Sequence, residues 1–83
     1  SLPMALSKLS EAQKNYLEIN DKENAGVCSS AMGLISDLLG DQITSLEFYK
    51  NALEHFQYVK NKNWEAGTLD NIGRIYGYLG EKR

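Results

Sequence analysis

The chain of 83 residues holds one proline, one cysteine, one histidine and one tryptophan, and each scarcity excludes something. Pro3 stands in the first turn of the chain, so no helix after it is broken by a pyrrolidine ring. Cys28 has no second cysteine to pair with, so no intrachain disulfide forms, which fits a reducing compartment and a cytoplasmic protein. It lies in the small-residue stretch Cys28-Ser29-Ser30-Ala31, where a small buried thiol is expected. His55, between Glu54 and Phe56, has no His or Cys partner at metal-ligand spacing, so no zinc site is expected and a solvated or rim histidine is. No apolar run approaches the roughly 18 residues of a membrane span, and no basic-apolar-small signal segment opens the chain. β-branched residues are few, and no stretch alternates with period two.

The charge balance is also bounding. Nine basic residues against eleven acidic ones give a net charge of −2, and the basic ones are scattered. A phosphate-binding surface needs them clustered, so nucleic acid is excluded as a partner. Hydrophobic residues at 42% and charged residues at 24% fit a folded chain rather than a disordered one. The glycines lack the Gly-Lys-Ser/Thr ending of a phosphate loop, Ser29-Ser30 lacks a nucleophile elbow and a base, and the carboxylates are dispersed. The expectation is a non-enzyme with no cofactor and no metal.

What the chain does have is an internal echo. Gly33, Ile35, Leu39 and Gly40 recur without a gap as Gly73, Ile75, Leu79 and Gly80, 40 residues on; Leu6 and Ala12 recur as Leu46 and Ala52, and Phe56 answers Tyr16. A fixed period of this size signals a repeat architecture, and such proteins usually work through extended surfaces.

The apolar spacing within the unit is helical. Leu6, Leu9, Ala12, Tyr16 and Ile19 share one face of a helix over about 3–19. Ala25, Cys28, Met32, Ile35 and Leu39 do so over 22–39, and Leu46, Tyr49, Ala52, Leu53, Phe56 and Val59 over 42–60. Leu69, Ile72, Ile75, Tyr76 and Leu79 point inward from 64–79. Gly40 suits the left-handed residue that ends a helix and Asp41 the N-cap of the next; Asn20-Asp21-Lys22 offers another cap, and Asn61-Lys62-Asn63 a turn. Gly80 repeats the stop, and Glu81 stands where Asp41 does, as if opening a fifth helix. Mid-helix glycine costs about 1 kcal/mol against alanine, so Gly33 and Gly73 imply close helix packing that recovers it, with Ala12 and Ala52 on the facing helices. The fold class is all-α: one domain of four antiparallel helices in a helix-turn-helix array.

These residues resemble the tetratricopeptide repeat, whose first helix reads Trp-x-x-Leu-Gly-x-x-Tyr and whose second reads Ala-x-x-x-Phe. Leu69, Ile72, Gly73 and Tyr76 fill the first-helix places, and Ser29, Met32, Gly33 and Ser36 fill them one unit earlier. Ser45, Tyr49 and Ala52 fill second-helix places, as do Ala5, Leu9 and Ala12. The likeness covers the whole chain with departures: Ser29 or Leu69 at the tryptophan place, Ser36 once at the tyrosine place, Gln57 at the proline place, and a period of 40 where about 34 is usual. HEAT and armadillo units also have periods near 40, but they do not explain the paired helix glycines or the Leu-Gly-Asp/Glu junction.

The resemblance implies an α-α superhelix fragment, out of phase, that begins in a second helix and stops after a first one. It implies a protein-protein interaction or scaffold module, part of a larger bacterial regulatory or signalling protein. Self-association through exposed terminal helices is the alternative, and a sensory arm of an enzyme the distant one. It further implies a concave groove lined by the first helices. Val27, Ser30, Ala31, Leu34, Asp37 and Leu38 would lie on one wall, and Asp70, Asn71, Arg74 and Tyr78 on the other. Asn71 would hold a peptide backbone and Arg74 a carboxylate. The basic clamp for a C-terminal carboxylate is absent, because Ser30, Leu34 and Asp70 stand in its places. Tyr58, Tyr78 and Trp64 fall off the main stripes; Trp64 starts a helix and would cover the turn, while Tyr58 and Tyr78 are either surface contacts or shallow packing on the neighbouring repeat.

Overall fold

Four side chains set the frame. Ser1, Asp21, Asp41 and Asn61 stand 20 residues apart, and each side-chain oxygen accepts a hydrogen bond from the backbone N–H three residues on, at 3.1–3.2 Å. This is N-capping, and a helix follows each cap at once. In the computed structural model, which describes residues 1–81, these are α1 (Leu2–Glu18), α2 (Lys22–Leu38), α3 (Gln42–Tyr58) and α4 (Lys62–Glu81). The 40-residue echo therefore rests on a 20-residue helical cadence. The Asp41 carboxyl is held below the usual range by its hydrogen bonds with Thr44.

The three turns are built alike. Asn20, Gly40 and Lys60 take left-handed backbone, with φ of 62°, 82° and 60°. The next N–H then donates to a carbonyl five residues back: Asp21 to Tyr16, Asp41 to Ser36 and Asn61 to Phe56, at 2.8–3.0 Å. That closes the preceding helix and caps the following one within three residues. Gly40 and Asp41 thus hold the roles expected of them. Gly80 does not: α4 continues through it to Glu81, and α4 begins at Lys62 rather than Trp64 because Asn61 is the cap. Lys82 and Arg83 lie outside the described residues.

Substantial interfaces form only between helices consecutive in the chain, with α2–α3 the most extensive. The result is an open two-layer slab, 42 × 31 × 14 Å, with α2 and α4 on one side of α1 and α3. The core lies at the α2–α3 and α3–α4 contacts. Tyr49, Leu46, Ile72 and Ile75 pack together there, flanked by Leu53 and Leu79, while Ala25, Met32, Ala52 and Phe56 are buried between α2 and its neighbours.

Close approach of α2 and α3 is the reason for one glycine of the repeated pair. A Cβ on Gly33 would stand 3.0 Å from the Tyr49 ring, itself 1% exposed. Ser45 Oγ donates to the Gly33 carbonyl at 2.7 Å, a buried bond that draws the helices together. Gly26 meets Phe56 in the same way, at 2.9 Å. Gly73 does not share this role, because nothing lies within 4 Å of its Cβ position. Leu69 and Tyr76, expected to point inward, are 48% and 50% exposed, and Ile19 and Leu39 are also exposed. Among the described residues no helix covers the face of α4 that carries Leu69 and Gly73, and Tyr76 beside them meets only the Lys50 side chain of α3, 5.5 Å from its ring centre, whereas the matching face of α2 is covered by α3.

Two stability measurements follow. Gly33→Ala should lower stability by about 1–3 kcal/mol, because the buried Tyr49 ring cannot withdraw. Gly73→Ala should raise it by about 1 kcal/mol through helix propensity alone. Denaturant midpoints of the two variants should move in opposite directions. At the turns, Gly40→Ala should cost about 1 kcal/mol and Lys60→Gly should gain a smaller amount, since only the second relieves a left-handed side-chain residue. Equal shifts in thermal midpoint for the pair would contradict this reading of the turns.

Candidate functional site

A hollow of about 370 Å³ lies between α2 and α4, with α3 beneath it. Val27, Ser30, Ala31 and Leu34 recur at helical spacing and form one wall; Trp64 and Asn71, two turns apart, form the other; Tyr49 of α3 is the floor. The sequence places Val27, Ser30, Ala31, Leu34 and Asn71 in this groove, and the fold brings those five together. It missed Trp64 and Tyr49. The signal was present for Trp64, seven residues before Asn71 and so on the same helix face. Tyr49 was read only as core.

Both ends of the groove are bridged. At one, Arg74 Nη1 donates to Asp37 Oδ2 at 2.7 Å, tying α4 to α2, while Nη2 approaches Asn71 Oδ1 at 3.4 Å. The hydrogen bond to Asp37, then that to Tyr78, holds the Arg74 guanidinium pKa above its ordinary value. Arg74 is therefore engaged inside the chain, with Asp37 as the carboxylate. Burial pushes the Tyr49 phenol up, opposed by the charge of Arg74. At the other end Trp64 stacks on Phe56, ring centroids 5.1 Å apart and 20° from parallel. The Asn71 amide nitrogen takes no partner among the described residues, so a donor is left facing the groove.

The remaining residues assigned to the groove sit outside it. Leu38 and Asp70 are exposed and do not line the hollow. Tyr78 lies beyond the Arg74 bridge, the guanidinium carbon 5.8 Å from its ring centre. Tyr58 carries Lys22 over its ring at 3.9 Å, so this tyrosine joins α3 to the start of α2.

A second hollow of about 400 Å³ opens on the opposite side, between α1 and α3 over α2, with Leu6, Met32, Leu39 and Phe48 among its walls. It contains neither Trp64 nor Asn71. Among the described residues no three His, Cys, Asp or Glu side chains converge on a metal-binding point, and no helix is long and apolar enough to cross a membrane. Cys28 is buried, and burial raises its thiol pKa.

The chain matches no protein-family model, no curated protein and no solved structure.

His55 gives the fold a pH response. It is half-buried, its Cβ stands 3.0 Å from where a Gly26 side chain would begin, and burial lowers its pKa; Lys22 acts in the same sense and Glu54 against it. The unfolded chain therefore binds the proton more tightly than the fold does. Stability should fall as pH drops through the unfolded value of about 6.5 and stop falling below the folded one. The difference in thermal midpoint between the wild type and His55→Gln, followed from pH 8 to 5, checks the sign; a difference that does not change with pH contradicts it.

Proposed function

We propose that the chain is a tetratricopeptide-like interaction module that takes an extended peptide in the α2–α4 groove, as part of a larger bacterial regulatory or signalling protein in the cytoplasm, and that it performs no catalysis itself. The observation that carries this reading is the convergence of a continuous wall from α2, two aromatic side chains (Trp64 and Tyr49) and the Asn71 amide nitrogen, which has no partner among the described residues, on one open groove. Aromatic surface supplies binding energy, and a side-chain amide donor fixes a peptide carbonyl. The hollow is large enough for a few side chains and is mainly apolar, so its preferred ligand is a short segment with an apolar anchor rather than an acidic or basic tail. The Arg74–Asp37 bridge limits how far such a segment runs toward the α4 C-terminus.

Trp64 is the only tryptophan and lines the groove, so its fluorescence reports occupancy directly. Peptides selected from a display library against the chain should shift that emission. Leu34→Asp should weaken them at least tenfold, about 1.4 kcal/mol, and Asn71→Ala by less. Leu17→Asp on α1 should leave binding unchanged. Selection that yields no peptide, or peptides indifferent to Leu34→Asp, would contradict the assignment.

A further inference from the structure

Among the described residues the buried polar side chains are all hydroxyls: Ser29, Ser36, Ser45 and Thr68, each 2% exposed or less. Three of them donate a hydrogen bond at 2.7 Å: Ser29 to Asn51 Oδ1, Ser45 to the Gly33 carbonyl and Thr68 to the Trp64 carbonyl. Ser36 differs, because its Oγ has no hydrogen-bond partner among the described residues. No side-chain polar atom is sealed in without a partner. The Ser36 hydroxyl is therefore not enclosed; it opens on the hollow between α1 and α3 that Ser36 helps to line. A buried hydroxyl with an unused donor calls for an acceptor from outside the chain.

The floor and both walls of this hollow come from three consecutive helices. Met32 and Ser36 of α2, one turn apart, form the floor, with Leu6 of α1 on one wall and Phe48 of α3 on the other. Gln13 closes one end: its Nε2 donates to the Ala25 carbonyl of α2 at 3.0 Å and to Asn51 Oδ1 of α3 at 3.3 Å. Leu39 and Asp41 stand at the other end. The space is about 400 Å³, within the range of small-molecule sites. From Leu6 to Gln13 the α1 wall advances about 10 Å.

We propose that this hollow binds a small uncharged molecule, with an apolar body about two helical turns long and one carbonyl oxygen that accepts from the Ser36 hydroxyl. The lining sets the charge. No lysine or arginine lines the hollow among the described residues, and Asp41 is its one ionised group, so a carboxylic acid or a phosphate would meet repulsion and no counter-charge. A cation is not called for either. Asp41 Oδ1 accepts the Thr44 N–H at 3.1 Å at the start of α3, where the helix dipole already balances the carboxylate. An extended peptide would bring a donor and an acceptor at every residue, whereas the floor offers a single polar group. The hollow shares no lining residue with the groove between α2 and α4, so this site is independent of the peptide reading.

The probe is prodan, a neutral naphthalene ketone whose emission responds to polarity and to hydrogen bonding at its carbonyl, added to the 83-residue chain. Its emission should rise, shift to the blue and saturate as a single site. 1-Anilinonaphthalene-8-sulfonate, an apolar body of similar size with a negative charge, should bind roughly tenfold more weakly. Ser10→Phe fills the hollow from the exposed rim of α1, and should abolish prodan binding while keeping the helical spectrum. Ser36→Ala should weaken prodan roughly threefold or more and move its bound emission further to the blue, because the carbonyl loses its donor. The same variant should keep a thermal midpoint no lower than the wild type, since no internal bond is lost. Leu34→Asp, which disturbs the proposed peptide groove, should leave prodan binding unchanged, so that failure of one proposal is separable from failure of the other. A wild-type chain that takes up no prodan, sulfonate binding equal to that of the ketone, a folded Ser10→Phe chain that still binds, or a Ser36→Ala chain whose bound emission does not move would each overturn the inference.

Discussion

The contact between Gly33 and the Tyr49 ring is the constraint on which the remainder of the array depends. It sets how near α2 comes to α3, and the Ser45 hydroxyl on the Gly33 carbonyl fixes that distance from the polar side. With α2 and α3 in place, the other face of Tyr49 is free to meet Ile72 and Ile75, which seats α4. The same ring then forms the floor of the groove between α2 and α4. One aromatic side chain thus joins the tightest helix pair, the core and the candidate binding surface. A bulkier residue at position 33 would displace all three together.

The architecture was legible in the sequence to a large extent. Helical spacing, the Gly40-Asp41 junction and the paired glycines point to four antiparallel helices, and five of the residues expected together line one hollow. The 20-residue cadence was harder to see. Its capping positions hold Ser, Asp, Asp and Asn and its left-handed positions Asn, Gly and Lys, sets that share a physical role but not an identity. Equivalence by sequence also overstated equivalence in space. Gly73, Leu69 and Tyr76 copy the pattern of Gly33, Ser29 and Ser36, yet their surroundings differ because burial depends on the following helix. A periodic signal specifies what a face is suited to meet; whether it is met is a property of the neighbours.

Arg74 carries a related lesson. A lone arginine on the wall of a groove looks available to a ligand. The carboxylate it holds belongs to α2, where Asp37 was read as part of the opposite wall. The distance between two helices that share no extensive interface of their own is not encoded in either helix's periodicity; it is set by α3, on which α2 and α4 both pack. The bridge, 38% and 14% exposed at its two side chains, adds little to stability, since such pairs are screened by solvent. Its role is geometric: it holds the walls of the groove at a fixed spacing.

Because each helix packs mainly on its neighbours in the chain, few contacts join distant parts of the sequence. Such a topology folds without first closing a long loop, and its order is not imposed from the termini. The best-packed pair, α2 and α3, is the natural nucleus, from which structure grows outward in both directions. α1 has no fully buried side chain of its own. Such an array is a zipper with a firm centre, and the amide protons of α1 should exchange with water sooner than those of α2 and α3.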